Sequence, residues 1–291
     1  MTRSAAPVVV GHDGSPHADT ALRCALATAA ARGVTLVVVR ACDDDEVDDV
    51  RAGLDEAVRR LRVEVPEADD VDVTVRAAAG RPVPVLAEAS AGAALLVVAR
   101  RGRGLVLQRL GSTAAGVLRS ARCPVAVVPD SPVVGDRVVV GWDGSSASAD
   151  AVAWAAEHAA LAERPLEVVV AWQITTLASK VPHDPGIAPP ITAYEQLAES
   201  EAKAGAALAR EVAGDALPAD AVTARAVRRP ATAALLDAAA DASVLVVGSR
   251  GRGGFAGLVL GSTSEQVSRH ATCPVVVVRR AGDPVEDDAA H

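Results

Sequence analysis

Short valine-rich runs alternate with longer stretches of helical period along the whole chain, and each change of period marks a new element. In the first half the runs Val8–Val10, Val34–Val39, Val71–Val75, Leu95–Val98 and Val125–Val128 read as buried strands. Ser15-Pro16 supplies a cap and a first-turn proline for a helix reaching about Ala31, which Gly33 stops. Residues 47–62 place Leu54, Val58 and Leu61 on one helical face, Pro82 opens a helix ending near Ala91, and another spans Ser112 to Ser120. Strands this short and apolar, separated by helices, predict a parallel α/β sheet covered on both faces. Ligands of such sheets sit at the carboxyl ends of the strands, near a switch in strand order.

The pattern then repeats. Val8-Val9-Val10-Gly11-His12-Asp13-Gly14-Ser15 returns as Val138-Val139-Val140-Gly141-Trp142-Asp143-Gly144-Ser145, and Arg122-Cys123-Pro124-Val125 returns as Thr272-Cys273-Pro274-Val275. Copies of this length are domains, not solenoid units. Two prolines and a glycine within 129–136 mark the linker. The expected division is 1–131, 132–281 and an acidic tail over 282–291. The second half adds the segment Gln173 to Pro190, rich in proline, which reads equally as a lid and as a surface excursion or interdomain contact. A helix from Tyr194 to about Val212 follows it.

Composition changes this picture in three places. Half of the 291 residues are hydrophobic but only 2% are aromatic, so valine, leucine and alanine must pack the cores. The net charge of −8 resides in two clusters, Asp43 to Asp49 and Asp283 to Asp288, which argues against nucleic acid as a partner. The first cluster lacks the glycine-turn spacing of a calcium loop and reads as a solvated segment. Cys123 and Cys273 recur at matching places with no histidine beside both, which fits small buried residues better than catalytic thiols. The start of the chain does not read as a signal peptide, and no apolar run reaches membrane-spanning length, so a cytoplasmic protein without a membrane partner is expected.

The candidate chemistry lies late in each half. After the strand Val244–Val247 come Gly248-Ser249-Arg250-Gly251-Arg252-Gly253-Gly254 and, further on, Gly261-Ser262-Thr263-Ser264 before a helix. Glycines between a strand and a helix let main-chain N–H groups approach an anion. A helix N-terminus adds unpaired donors and a favourable dipole. No Gly-Lys-Ser/Thr follows, so this is not a P-loop, and its position late in the domain excludes the dinucleotide fingerprint. The spacing Gly248-x2-Gly251-x9-Gly261-Ser262 resembles the ATP-binding signature of the universal stress protein family, and the surrounding segment is similar along its length.

That resemblance covers nearly the whole chain. It implies two tandem, doubly wound, five-stranded parallel-sheet domains, Rossmann-like and of the adenine nucleotide alpha hydrolase-like type. It further implies pairing of domains through the last strand, here Val125–Val128 with Val275–Val278, and is compatible with a homodimer. ATP or another adenine nucleotide, AMP and cyclic AMP included, is the implied ligand, with Mg²⁺ across the phosphates.

Asp13 and Asp143 follow their first strands. Each carboxylate can accept from an adenine amino group or a ribose hydroxyl, or simply shape an Asp-Gly-Ser bend; the resemblance favours the nucleoside role. His12 and Trp142 read as packing or edge residues. By the same resemblance Trp172, with Ala41 as its counterpart in the first half, lies at the base, although a buried tryptophan fits equally. Arg250 and Arg252 can pair with phosphate or be solvated, and Ser262 and Thr263 can donate to phosphate or cap the helix. The first half departs from the pattern: Ala99 replaces the first glycine, and eight residues rather than nine separate Gly102 from Gly111-Ser112-Thr113. One residue fewer is expected to shift the downstream N–H groups, so that the second half binds ATP and the first binds weakly or not at all. The leading expectation is a nucleotide-dependent regulatory protein of the stress response. A slow ATPase or phosphotransferase using Asp143 or Ser262, and a nucleotide-free scaffold, are the alternatives.

Overall fold

The computed structural model describes residues 6–102, 110–132, 135–178, 181, 188–252 and 259–279. Contacts divide the chain into two units: one runs up to Pro132 and takes in the described residues from Pro274 onward, and the other ends at Cys273.

In the first unit the order is β1 (Val8–Gly11), α1 (Pro16–Arg32), β2 (Leu36–Cys42), α2 (Val47–Arg62), β3 (Val73–Ala79), α3 (Pro82–Ala89), β4 (Leu95–Ala99), α4 (Ser112–Ser120) and β5 (Val125–Val128). The strands lie side by side as β3-β2-β1-β4-β5, all parallel. The order reverses at β1, between β2 and β4, which opens a crevice at their carboxyl ends. Helix α1 buries Ala18, Ala21, Leu22, Ala25, Leu26 and Ala29, a stripe at helical period made mostly of alanine. Ser15 caps it by accepting from the Ala18 N–H at 3.2 Å, and Gly33 ends it with φ 61°. Helix α2 turns Val50, Leu54, Val58 and Leu61 inward. Burial of each such leucine contributes about 2 kcal/mol.

The second unit repeats the plan: β6 (Val138–Gly141), α5 (Ser146–Leu161), β7 (Leu166–Ala171), the single turn α6 (Ile174–Leu177), α7 (Ile191–Ala213), β8 (Val222–Val227), α8 (Ala231–Ala238), β9 (Val244–Gly248) and α9 (Ser262–His270). Its strands run parallel as β9-β6-β7-β8. Ser145 caps α5 by accepting from the Ser148 N–H at 3.2 Å, as Ser15 does in α1.

The last strand, β10 (Val275–Val278), falls in the first unit, antiparallel to β5, with Val275 opposite Val127 and Val277 opposite Val125. Beyond it Arg279, 8% exposed, donates to the carbonyls of Leu118 (3.2 Å) and Arg119 (2.6 Å) at the end of α4, where a cation complements the helix dipole.

Candidate functional site

The carboxyl ends of β1, β2 and β4 and the N-terminus of α4 enclose a cavity of about 480 Å³ in the first unit. Its wall includes Gly11, His12 and Asp13 from β1 and the turn beyond, Val39, Arg40 and Ala41 from β2, Ala99 to Gly102 from β4 and its turn, and Gly111, Ser112 and Thr113 from the start of α4.

Asp13 is held by the Ser15 N–H, which donates to its Oδ1 at 2.9 Å. Gly102 passes directly over the same carboxylate: a Cβ there would lie 2.5 Å from Asp13 Oδ2. In the second unit Asp143 accepts from the Ser145 N–H at 2.9 Å, and a Cβ on Gly251 would lie 2.6 Å from its Oδ2. The second glycine of the motif therefore serves a close approach of backbone to carboxylate in both units. Burial acts to raise the Asp143 pKa, but hydrogen bonds from Ser145, Arg252 and Ser148 outweigh it and hold the carboxyl below its usual range.

The start of the helix is likewise the same in both units. Gly111 N–H donates to Arg100 O at 2.8 Å, and Gly261 N–H to Ser249 O at 2.7 Å. Each of these glycines is the N-cap of its helix, α4 or α9, and neither helix has a side-chain cap, in contrast to α1 and α5. The N–H groups of the first turn thus face the strand ends without a side-chain acceptor. Ser112 and Ser262 are exposed beside them, and Thr113 and Thr263 are half-buried. The shorter spacing in the first half was expected to shift these donors; Gly111 nevertheless returns to the same carbonyl as Gly261 does.

Other residues around the motif have packing and bonding roles of their own. A Cβ on Gly248 would lie 2.7 Å from the backbone of Ala147 in α5, so this glycine is required by helix packing, and Ala99 stands in its place in the first half. Ser264 turns its hydroxyl inward and donates to Gly248 O at 2.7 Å, which ties α9 to the end of β9. Trp172 is 4% exposed, buried with Leu177, Val181, Tyr194 and Ala198, while the Arg228 guanidinium carbon lies 5.6 Å from its ring centroid. Strand register aligns Ala41 with Ala171, so the counterpart of Trp172 is Cys42 and not Ala41. Arg252 donates its N–H to Asp143 Oδ2 at 2.9 Å, and its guanidinium reaches Gly144 O at 3.0 Å and Glu201 at 3.5 Å. Arg250 is half-buried, and Gly253 lies outside the described residues. Burial lifts the Cys123 thiol to about 12 and Cys24 and Cys273 to about 11, the behaviour of packing residues. Among the described residues no group of three His, Cys, Asp or Glu could hold a metal ion, and no helix is long and apolar enough to cross a membrane.

Three features go beyond the sequence reading, which had His12 as a packing or edge residue and named neither Arg40 nor Glu201. His12 is 5% exposed and lines the cavity; its Nδ1 accepts from the Gly14 N–H at 3.2 Å, which leaves Nε2 to donate to Asp19 at 3.0 Å. Burial lowers its pKa, against the pull of Asp19. Arg40 interrupts the valine run of β2 at the cavity wall, a charge in a buried strand that was itself the available signal. Glu201 on α7, the partner of Arg252, is far away in sequence and had no signal.

The sequence profile of the universal stress protein family matches residues 6–129 and 135–279. The chain is similar to universal stress protein Rv2623 of Mycobacterium tuberculosis, 33% identical over 298 residues, covering 94% of this chain and 96% of that protein. Rv2005c of the same organism is also 33% identical, covering 94% and 97%. A universal stress protein from Archaeoglobus fulgidus shares the fold, with a TM-score of 0.61 at 22% identity over 96% of this chain and 100% of that one. Two matches to the profile, near-complete overlap with these relatives and a mostly parallel α/β fold place this chain in the universal stress protein family, as a tandem member.

Proposed function

We propose that the chain binds adenine nucleotide at the strand ends and acts as a nucleotide-dependent regulatory protein of the stress response. The observation that carries this reading is the frame common to both units, a glycine laid over an Asp carboxylate and a glycine-started helix without a side-chain cap. The carboxylate supplies acceptors for ribose hydroxyls, and the open helix turn supplies main-chain donors for phosphate. A side chain at Gly111 or Gly261 would fill the space that the phosphates need. ATP is the proposed ligand of the second unit, whose motif is complete. Mg²⁺ would be carried chiefly by the phosphate oxygens, since Asp143 already accepts from two backbone N–H groups. The same two bonds, with a depressed pKa, make Asp143 a poor general base, which favours binding over hydrolysis.

The test is denaturing extraction of the purified protein and mass spectrometry of what it releases. Adenine nucleotide is expected from the parent protein and little from a variant carrying Gly111→Glu and Gly261→Glu. Equal nucleotide from both would refute the placement of the phosphates.

A further inference from the structure

The two units differ in charge at the ends of their second strands. Pairing of β1 with β2 and of β6 with β7 puts Arg40 at the register position of Val170. Arg40 is half-buried, lines the cavity between Val39 and Ala41, and makes no hydrogen bond or ion pair among the described residues. It stands close enough to His12, on the same wall, for its charge to act on that ring. Arg101, at the other side of the cavity, is by contrast paired with Asp130.

The distance between the two sides follows from the sheet. Strand β1 lies between β2 and β4, so two interstrand spacings, about 10 Å, separate Arg40 from the turn after β4 that leads to α4. A nucleotide with its 5′ phosphate at the α4 N-terminus would extend its nucleoside toward β2. An unpaired guanidinium in a recess partly shielded from water gains most from an anion, through short charge-assisted hydrogen bonds.

We propose that the first unit's cavity takes a nucleotide bearing a second anionic group, remote from its 5′ phosphate, with Arg40 as the second anchor. The second unit, with Val170 at that position, has no such preference. This rests on the nucleotide reading of the site and adds a ligand class and a specificity residue to it.

The experiment uses the full chain with Gly261→Glu to close the second cradle, titrated calorimetrically with AMP, adenosine 3′,5′-bisphosphate and GMP. It is repeated with Arg40→Val added, which installs the residue of the second unit. The bisphosphate is expected to bind at least about tenfold tighter than AMP, the ratio falling to about one with Arg40→Val while AMP affinity holds. AMP binding without a bisphosphate preference, or a preference that survives Arg40→Val, overturns this inference and leaves the nucleotide reading standing. A preference for GMP alone that Arg40→Val abolishes also overturns it, in favour of a contact with the base edge. Failure of all three ligands overturns this inference together with the nucleotide reading of the first unit; the second unit, closed in this variant, is tested by the extraction described above.

Discussion

A Cβ on Gly251 would lie 2.6 Å from Asp143 Oδ2, a separation that forces the carboxylate or the turn to move. Gly251→Ala is therefore expected to weaken nucleotide binding in the second unit by about tenfold or more, with the far-ultraviolet circular dichroism unchanged. Unaltered affinity in a calorimetric titration would count against the coupling of glycine and carboxylate. Gly248→Ala has a different consequence, since its Cβ meets the Ala147 backbone at 2.7 Å. It should lower unfolding free energy by about 1–3 kcal/mol with or without nucleotide, read by urea denaturation. His12 makes a pH prediction. Its folded pKa is lowered from 6.5, chiefly by burial, so the unfolded chain takes up a proton that the folded one resists. Stability from this group is complete above 6.5 and declines as pH falls below it. Melting temperature should drop more steeply for the parent than for His12→Gln between neutral pH and about pH 5. Equal slopes would show that the ring does not titrate as described.

At the scale of elements, α4 and β10 are linked through Arg279, whose guanidinium closes two carbonyls at the end of α4. Arg279→Ala leaves those groups short of a donor and should destabilise the first unit by about 1–3 kcal/mol. No change in the denaturation midpoint would mean that solvent replaces the arginine without loss. The strongly periodic elements were legible in the sequence: helix 47–62, helix 112–120 and strand 125–128 fall where their pattern put them. The ends of β2 and β3 were not, because both strands continue past their valines into Arg40-Ala41-Cys42 and Ala77-Ala78-Ala79. Parallel pairing from Leu36 opposite Val73 to Cys42 opposite Ala79 carries those residues into the sheet, a long-range effect that local pattern cannot register. The helix starts at Gly111 and Gly261 were legible from the motif spacing. Arg40 and Glu201 were not legible for different reasons: one breaks the valine pattern that marks its strand, and the other comes to the site only through folding.

At the scale of the whole molecule, duplication has produced two strand-end sites with one frame and different walls. The first has Ala99, His12 and Arg40 where the second has Gly248, Trp142 and Val170. Preservation of the frame across a one-residue difference in spacing means that the uncapped first-turn donors depend on the two ends of the turn. Gly111 and Gly261 each return to a carbonyl just past the preceding strand, whatever the length between. In the reading proposed above, these donors hold the phosphates of an adenine nucleotide. Equilibrium dialysis of the full chain against radiolabelled ATP, with and without Gly111→Glu and Gly261→Glu, tests it most directly. Saturable binding that the double substitution removes, while the melting profile stays cooperative, is the predicted result; binding that persists in the folded double variant, or none in the parent, would contradict it.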